Sequence, residues 1–380
     1  MTIRKMTPLS ASLLLLTPGM ALSNPDPAQF APTAFPQEPE IVDCTLEDGS
    51  EAKCYEFTAA YKPEALEIGP FCPTNLDESG GVWDWDGEAA GLYRLDRAFF
   101  EMLADQGYRF YDENGDVAIS DPGSGARPDV DHACLMATQD ESVVITMRLP
   151  VEPVMAESPT DLGTVAKVGV ALDGVPIFAD APSVLDTGHL PALDVCGGHI
   201  DPGGWYHWHA TASDIETVYE TEGVLADCAQ EQDKSALFGY AFDGFPMFGS
   251  VEADGSAPEA LDECGGHLGM TAQGESYHYH ASESFPNLPA CLVGTMAEDN
   301  FSTTADQGIG AADMRGGGGP AGGMPPGFEE AASTLGISAE ALMQAMTDAG
   351  GREADLAEVA QALGIEEEAL RAALPTPGGQ

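Results

Sequence analysis

Residues Gly169-Val170-Ala171-Leu172-Asp173-Gly174-Val175-Pro176-Ile177-Phe178 return 70 positions later as Gly239-Tyr240-Ala241-Phe242-Asp243-Gly244-Phe245-Pro246-Met247-Phe248. The likeness continues outward. Leu193-Asp194-Val195-Cys196-Gly197-Gly198-His199 is matched by Leu261-Asp262-Glu263-Cys264-Gly265-Gly266-His267, and Tyr206-His207-Trp208-His209-Ala210 by Tyr277-His278-Tyr279-His280-Ala281. A later cysteine, Cys228 or Cys291, closes each unit. The chain therefore contains an internal duplication, with copies at approximately 168–228 and 239–291. Short apolar runs punctuated by Gly, Pro and Asp imply strands and turns rather than long helices. The expected fold is mainly β, sandwich- or barrel-like and internally duplicated.

Period-two spacing decides the chemistry of the repeat. In a strand, residues two apart face the same side, so His207 and His209 point together, as do His278 and His280. His199 and His267 follow glycine pairs that let the chain fold back toward them. Three imidazoles with open positions suit Cu or Zn rather than hard, oxygen-preferring ions. Asp194 and Asp262 are the expected acceptors for the non-ligating ring nitrogens. One site per copy is favoured over a single site shared between copies. The competing reading is a packed strand whose imidazoles are hydrogen-bonded to Asp194 and Asp262 with no ion. A metal-dependent hydrolase is a second alternative, with Glu263 or Glu275 as general base, and a structural or adhesive module without metal is a third. No catalytic residue is assigned. His132 and His189 fall outside the repeated pattern and read as ordinary histidines.

The repeated motifs resemble the YHYH domain family of exported bacterial proteins, named for the run found here at Tyr277 to His280 and followed by Phe285-Pro286-Asn287-Leu288-Pro289-Ala290-Cys291. In the first copy Trp208 replaces the second tyrosine. The resemblance extends back to the Val143–Met155 segment and implies a domain over 128–294. It supplies a boundary rather than an activity.

The chain of 380 residues has 63 Asp and Glu against 14 Lys and Arg, a formal net charge of -49. Nucleic acid and anionic membranes are poor partners for such a surface. Residues 1–23 carry Arg4 and Lys5, an apolar stretch over Leu13–Leu16, and the small-residue pattern Ala21-Leu22-Ser23. That order reads as a signal peptide, and the mature protein is expected in the periplasm or outside the cell. No other stretch has the roughly 18 apolar residues needed to span a bilayer. An oxidising compartment makes the eight cysteines four disulfides rather than thiolate ligands, which also disfavours a Cys196/His199 or Cys264/His267 zinc pairing. The repeat assigns Cys196 to Cys228 and Cys264 to Cys291. Proximity in sequence then assigns Cys44 to Cys54 and Cys72 to Cys134.

Residues 24–127 read as a mixed α/β region. Apolar spacing predicts a helix over Leu92–Gln106, and Asn114-Gly115 predicts a hairpin with a type I′ turn within Tyr108–Ser120. Asp112, Asn114 and Asp116 alternate like the start of a calcium loop but are better explained by that turn. The acids of Trp83-Asp84-Trp85-Asp86-Gly87-Glu88 read as solvated turn residues. Pro150 and Pro153 place Val143–Met155 at a sheet edge. Residues 295–328 read as a glycine-rich linker, so a chain ending near Met296 is expected to keep the repeat folded. A helical tail over 329–375, with Gly336 and Gly364 as helix C-caps, is a candidate docking element for a protein partner. No nucleotide-binding loop or nucleophile elbow is present.

Overall fold

The computed structural model describes residues 24–124, 130–163, 166–179, 181–272, 274–311, 328–335, 337, 341–342, 345–346, 356–365 and 367–374. Residues 1–23, read as a signal peptide, the glycine run Gly316–Gly319 and Gly336 lie outside them. The fold is mainly β, as expected. Its centre is an eight-stranded sheet whose spatial order is Gly198–Ile200, Tyr206–Trp208, Pro176–Phe178, Lys167–Ala171, Leu237–Ala241, Pro246–Phe248, Gly274–His280 and Gly266–Thr271. Each copy supplies four consecutive strands, in mirrored order about the middle.

The duplication also fixes how the copies join. Lys167–Ala171 and Leu237–Ala241 are antiparallel, with Val170 opposite Tyr240, Gly169 opposite Ala241 and Ala171 opposite Gly239. Equivalent residues thus face one another across a pseudo-twofold axis. A side chain at Gly169 or Gly239 would collide with the neighbouring carbonyl of Tyr240 or Val170, so both glycines are needed for the strands to pair.

A second sheet, in the order Glu40–Thr45, Glu51–Ala60, Val144–Pro150 and Phe301–Thr303, shares one apolar core with the first. Phe301 packs on Phe178, Trp205 and Phe242, and Phe30 bridges Phe57 to Tyr240. The arrangement is sandwich-like. The region before residue 127 is not set apart from the repeat, since Glu51–Ala60 pairs with Val144–Pro150 along seven residues and contributes to the same core. All four disulfides have the pairing read from the sequence: Cys44–Cys54, Cys72–Cys134, Cys196–Cys228 and Cys264–Cys291. Among the described residues no helix is long and apolar enough to cross a membrane.

Several local expectations are corrected. The helix occupies Arg97–Asp105, not Leu92–Gln106, because the Asp96 side chain accepts a hydrogen bond from Phe99 N (3.0 Å) and starts it there, while Leu92 belongs to a strand paired with Val82–Trp85. The turn at Asn114-Gly115 is not type I′, which needs positive φ at both positions. Only Gly115 has it, at 84°, and Asp112 closes the loop by accepting from Asn114 N (2.7 Å) and Asp116 N (3.0 Å). Val144–Pro150 is an inner strand rather than an edge, and Pro150 is tolerated as its last residue.

The ordered body also extends past the expected start of the linker. Phe301–Thr303 pairs with Val144–Pro150, Asn300 accepts a 2.6 Å hydrogen bond from Lys167, and buried Asp201 accepts from Ile309 N at 3.4 Å. The tail has its own small core of Ala331, Ala332, Leu342, Ala345, Val359, Ala360 and Leu370. Gly364 caps its helix with φ 66°, and Ile365 N reaches Ala360 O at 3.0 Å. Ile337 N makes the matching bond to Ala332 O at 3.1 Å.

A chain ending after Ala311 should therefore keep the thermal midpoint of the body. Ending it at Met296 removes Phe301, whose burial is worth about 1.5 to 3 kcal/mol, and should lower the midpoint in a calorimetric scan.

Candidate metal centres

Each histidine cluster is built on one antiparallel hairpin. His199 lies directly opposite His207, and His267 directly opposite His278. Cross-strand partners share a face, so the third histidine of each copy meets the pair two apart on the facing strand. The glycine pairs make the entry possible. Gly197 and Gly265 hold left-handed φ of 84° and 80°, and a side chain on Gly198 or Gly266 would strike the hydroxyl of Tyr206 or Tyr277.

The six candidate ligands gather in two separate groups, one per copy. In the first, the Nε2 atoms of His199, His207 and His209 are 3.1, 3.0 and 3.2 Å apart, a nearly equilateral triangle. His209 Nδ1 is 2.7 Å from the Ala179 carbonyl, and His199 makes a backbone hydrogen bond at Pro191. A carbonyl only accepts, so the proton of the His209 ring sits on Nδ1 and its Nε2 is a bare lone pair. His207 can donate to at most one of its two neighbours, and its own Nδ1 is buried without a partner.

The second cluster is more explicit. His267, His278 and His280 place Nδ1 against the carbonyls of Glu259 (2.9 Å), Ser276 (3.1 Å) and Gly249 (2.8 Å). All three Nε2 atoms are therefore bare. They converge with the Glu252 carboxylate, which lies 3.2 Å from His267 Nε2 and 3.7 Å from His280 Nε2. Glu252 was not among the residues read from the sequence. Ala179 and Gly249 are equivalent by their bonds to His209 and His280, which puts Pro182 where the second copy has Glu252. That divergence between copies was the available signal.

Asp194 and Asp262 do not bond to the histidines. Asp194 accepts from Tyr206 Oη (2.7 Å), Cys196 N (2.9 Å) and Gly198 N (3.2 Å), and Asp262 from Tyr277 Oη (2.8 Å), Cys264 N (2.9 Å) and Gly266 N (3.1 Å). The tyrosines alternate with the histidines, so these carboxylates lie on the opposite face of the strand. The aspartates of the Asp-Gly turns do the same for the other aromatic. Asp243 accepts from Tyr279 Oη at 2.6 Å, and Asp173 takes a hydrogen bond from the Trp208 side chain. Trp208 can stand in for tyrosine because both rings carry a donor. Every aromatic of the two motifs is thus held by one carboxylate, which fixes the rotation of the strand and aims its histidines.

Burial sets the electrostatics. It pushes His199 and His278 down to about 4, and His207 and His209 well below the usual imidazole range, with neighbouring rings lowering His207 and His209 further. It pushes Asp173 and Asp194 up to about 6 and raises Asp243.

Other candidates stand apart. Glu263 and Glu275 are exposed and belong to neither cluster; Glu275 alternates with Ser276 and so faces away from His278. His132 packs edge-on to Tyr108 and Phe110, and His189 lies on a strand beside Ala133. Asp112 serves its turn, and Trp85 donates to the Glu88 carbonyl at 2.9 Å.

Residues 146–259 match the family model described as YHYH protein. The chain carries a YHYH domain. The matched segment includes the whole first triad and ends before His267, so the second triad enters through the internal repeat. No curated protein and no solved structure matches the chain.

Tyr279→Phe tests the clamp, because its hydroxyl both donates to Asp243 and accepts from Val293 N at 2.8 Å. Denaturant unfolding should show a loss of about 1 to 3 kcal/mol.

Proposed function

We propose that the protein holds two transition-metal ions, Zn²⁺ or Cu²⁺, one on each YHYH-type hairpin. The observation that carries this reading is the convergence of bare nitrogens. Four of the six cluster histidines turn Nδ1 to a backbone carbonyl, which leaves their Nε2 atoms as lone pairs facing the neighbouring rings. Such lone-pair contacts are costly in a buried site unless a cation lies between them. Backbone carbonyls behind the imidazoles orient the ligands as in metal sites generally.

The sites differ in completeness. A nitrogen triangle of side about 3.1 Å has its centre roughly 1.8 Å from each atom, inside a zinc–imidazole bond of ~2.0–2.1 Å, so an ion caps the triangle and keeps a position open. Glu252 supplies a fourth donor in the second copy, the number that closes a tetrahedral shell. The hydrolase alternative needs a substrate cleft, yet the cavity beside His199 is about 10 Å³, room for one water. Holding the ion, rather than turning over a large substrate, fits that enclosure. Four disulfides suit an oxidising compartment, and we place the mature protein in the periplasm or outside the cell.

Elemental analysis of protein purified from its export compartment should give two ions per chain. Replacing His278 and His280 together should leave one, and Glu252→Ala should weaken only the second site, by about tenfold or more. Wild-type protein that binds no more tightly than the double variant would return the histidines to a purely structural role.

The pH dependence follows from burial. Imidazoles with depressed folded pKa values are neutral in the native state, so their contribution is present above about 6.5 and is lost as pH falls toward about 4. The raised carboxylates act oppositely, contributing at low pH and losing that contribution as pH rises through about 6. Folding stability therefore mixes two opposed trends, and metal retention is the cleaner measure. At His199 and His278 protons compete with the ion near pH 4 rather than near the 6.5 of a free imidazole. Dialysis at pH 5.5 followed by metal analysis should find both ions retained.

A further inference from the structure

The two copies differ on the face of the sheet away from the histidines. In the second copy the strand Cys291–Gly294 closes over the clamp: Gly294 N donates to Asp243 Oδ2 at 2.9 Å and Val293 N to Tyr279 Oη at 2.8 Å. In the first copy the chain after Cys228 makes no such contact with Asp173 or Trp208 among the described residues. Its Gln232 side chain instead donates to Ala212 O at 2.8 Å and to Gln230 O at 3.2 Å. A cavity of about 340 Å³ remains, lined by Asp173, Trp208, Ser213, Gln230, Glu231 and Asp233 among others. Three of these are carboxylates, and no Lys or Arg lines the space.

We infer that this cavity is a binding site for a small organic cation, an alkyl ammonium or guanidinium group, anchored on Asp173 beside Trp208. Asp173 already accepts from Val175 N (3.0 Å) and the Trp208 side chain, and the acceptor position that Gly294 N fills in the second copy has no protein donor among the described residues. An N–H donor completes it. Charge selects the cation: the lining is acidic and the chain carries a formal -49. The volume falls in the range of small-molecule sites, roughly 300 to 1,000 Å³. A buried charge-assisted hydrogen bond is the kind of contact that makes such recognition selective. The site is independent of the metal reading, since it lies on the other face and uses none of the histidines.

The test is calorimetric titration of the full chain, in buffer near physiological ionic strength, with agmatine and butylamine against butanol and butyrate. The Trp208 indole N–H resonance is followed in parallel. Saturable binding of the two cations, a shift of that resonance, and no binding of the neutral or anionic probes are expected. Asp173→Asn should weaken binding about tenfold or more, and Ser213→Trp, which fills the cavity without touching the carboxylate, should abolish it. If Asp173→Asn does not fold, Ser213→Trp decides alone. Binding that survives Ser213→Trp, equal binding of butanol, or no saturable binding of either cation overturns the proposal.

Discussion

The hydrogen bonds that the aromatics of the Tyr-His-Tyr/Trp-His strands donate to four aspartates are the constraint on which the rest depends. A strand presents alternate residues to opposite faces, so fixing one face fixes the other. Asp194 and Asp262 hold the first aromatic of each motif, and Asp173 and Asp243 hold the second. With both aromatics tethered, the two histidines that alternate with them have little rotational choice. The clamp carries a desolvation cost, visible in carboxylates raised by burial, and is repaid by several N–H and O–H donors around each one.

Duplication supplies a second layer of constraint. Pairing equivalent strands at Val170 and Tyr240 builds one continuous sheet from two copies and sends the histidine hairpins to its opposite ends. Symmetry of that kind lets each copy diverge without disturbing the other. The first has an open cavity and no carboxylate at its cluster, with Pro182 at the position of Glu252; the second is closed over its clamp and has a fourth donor. Asn287 ties the copies together by accepting from Thr211 N and donating to Thr211 Oγ1, each at 2.8 Å.

Much of this was legible along the chain because it is local or periodic. The two-residue spacing of histidines, the glycine pair ahead of the third and the ordered cysteines are all short-range features, and repetition made the disulfide assignment within each copy natural. Other errors share one cause. Leu92 has helical spacing from Leu95 and Phe99, yet Asp96 caps the helix later and frees Leu92 for a strand. Val144–Pro150 carries proline, yet both its edges are occupied, one by Glu51–Ala60 and one by residues placed with the linker.

By itself the sequence determined the mainly β, duplicated, four-disulfide architecture and the identity of the six clustered histidines, because periodicity and repetition are properties of the chain alone. Tertiary structure decided everything that depends on which distant groups meet. It gave the imidazoles backbone carbonyls as partners rather than Asp194 and Asp262, since those carboxylates lie across the strand. It brought Glu252 to the second cluster and left the first with three nitrogens. It also opened the acidic cavity at Asp173, because a missing hydrogen bond to a segment some 60 residues away is written nowhere in local spacing.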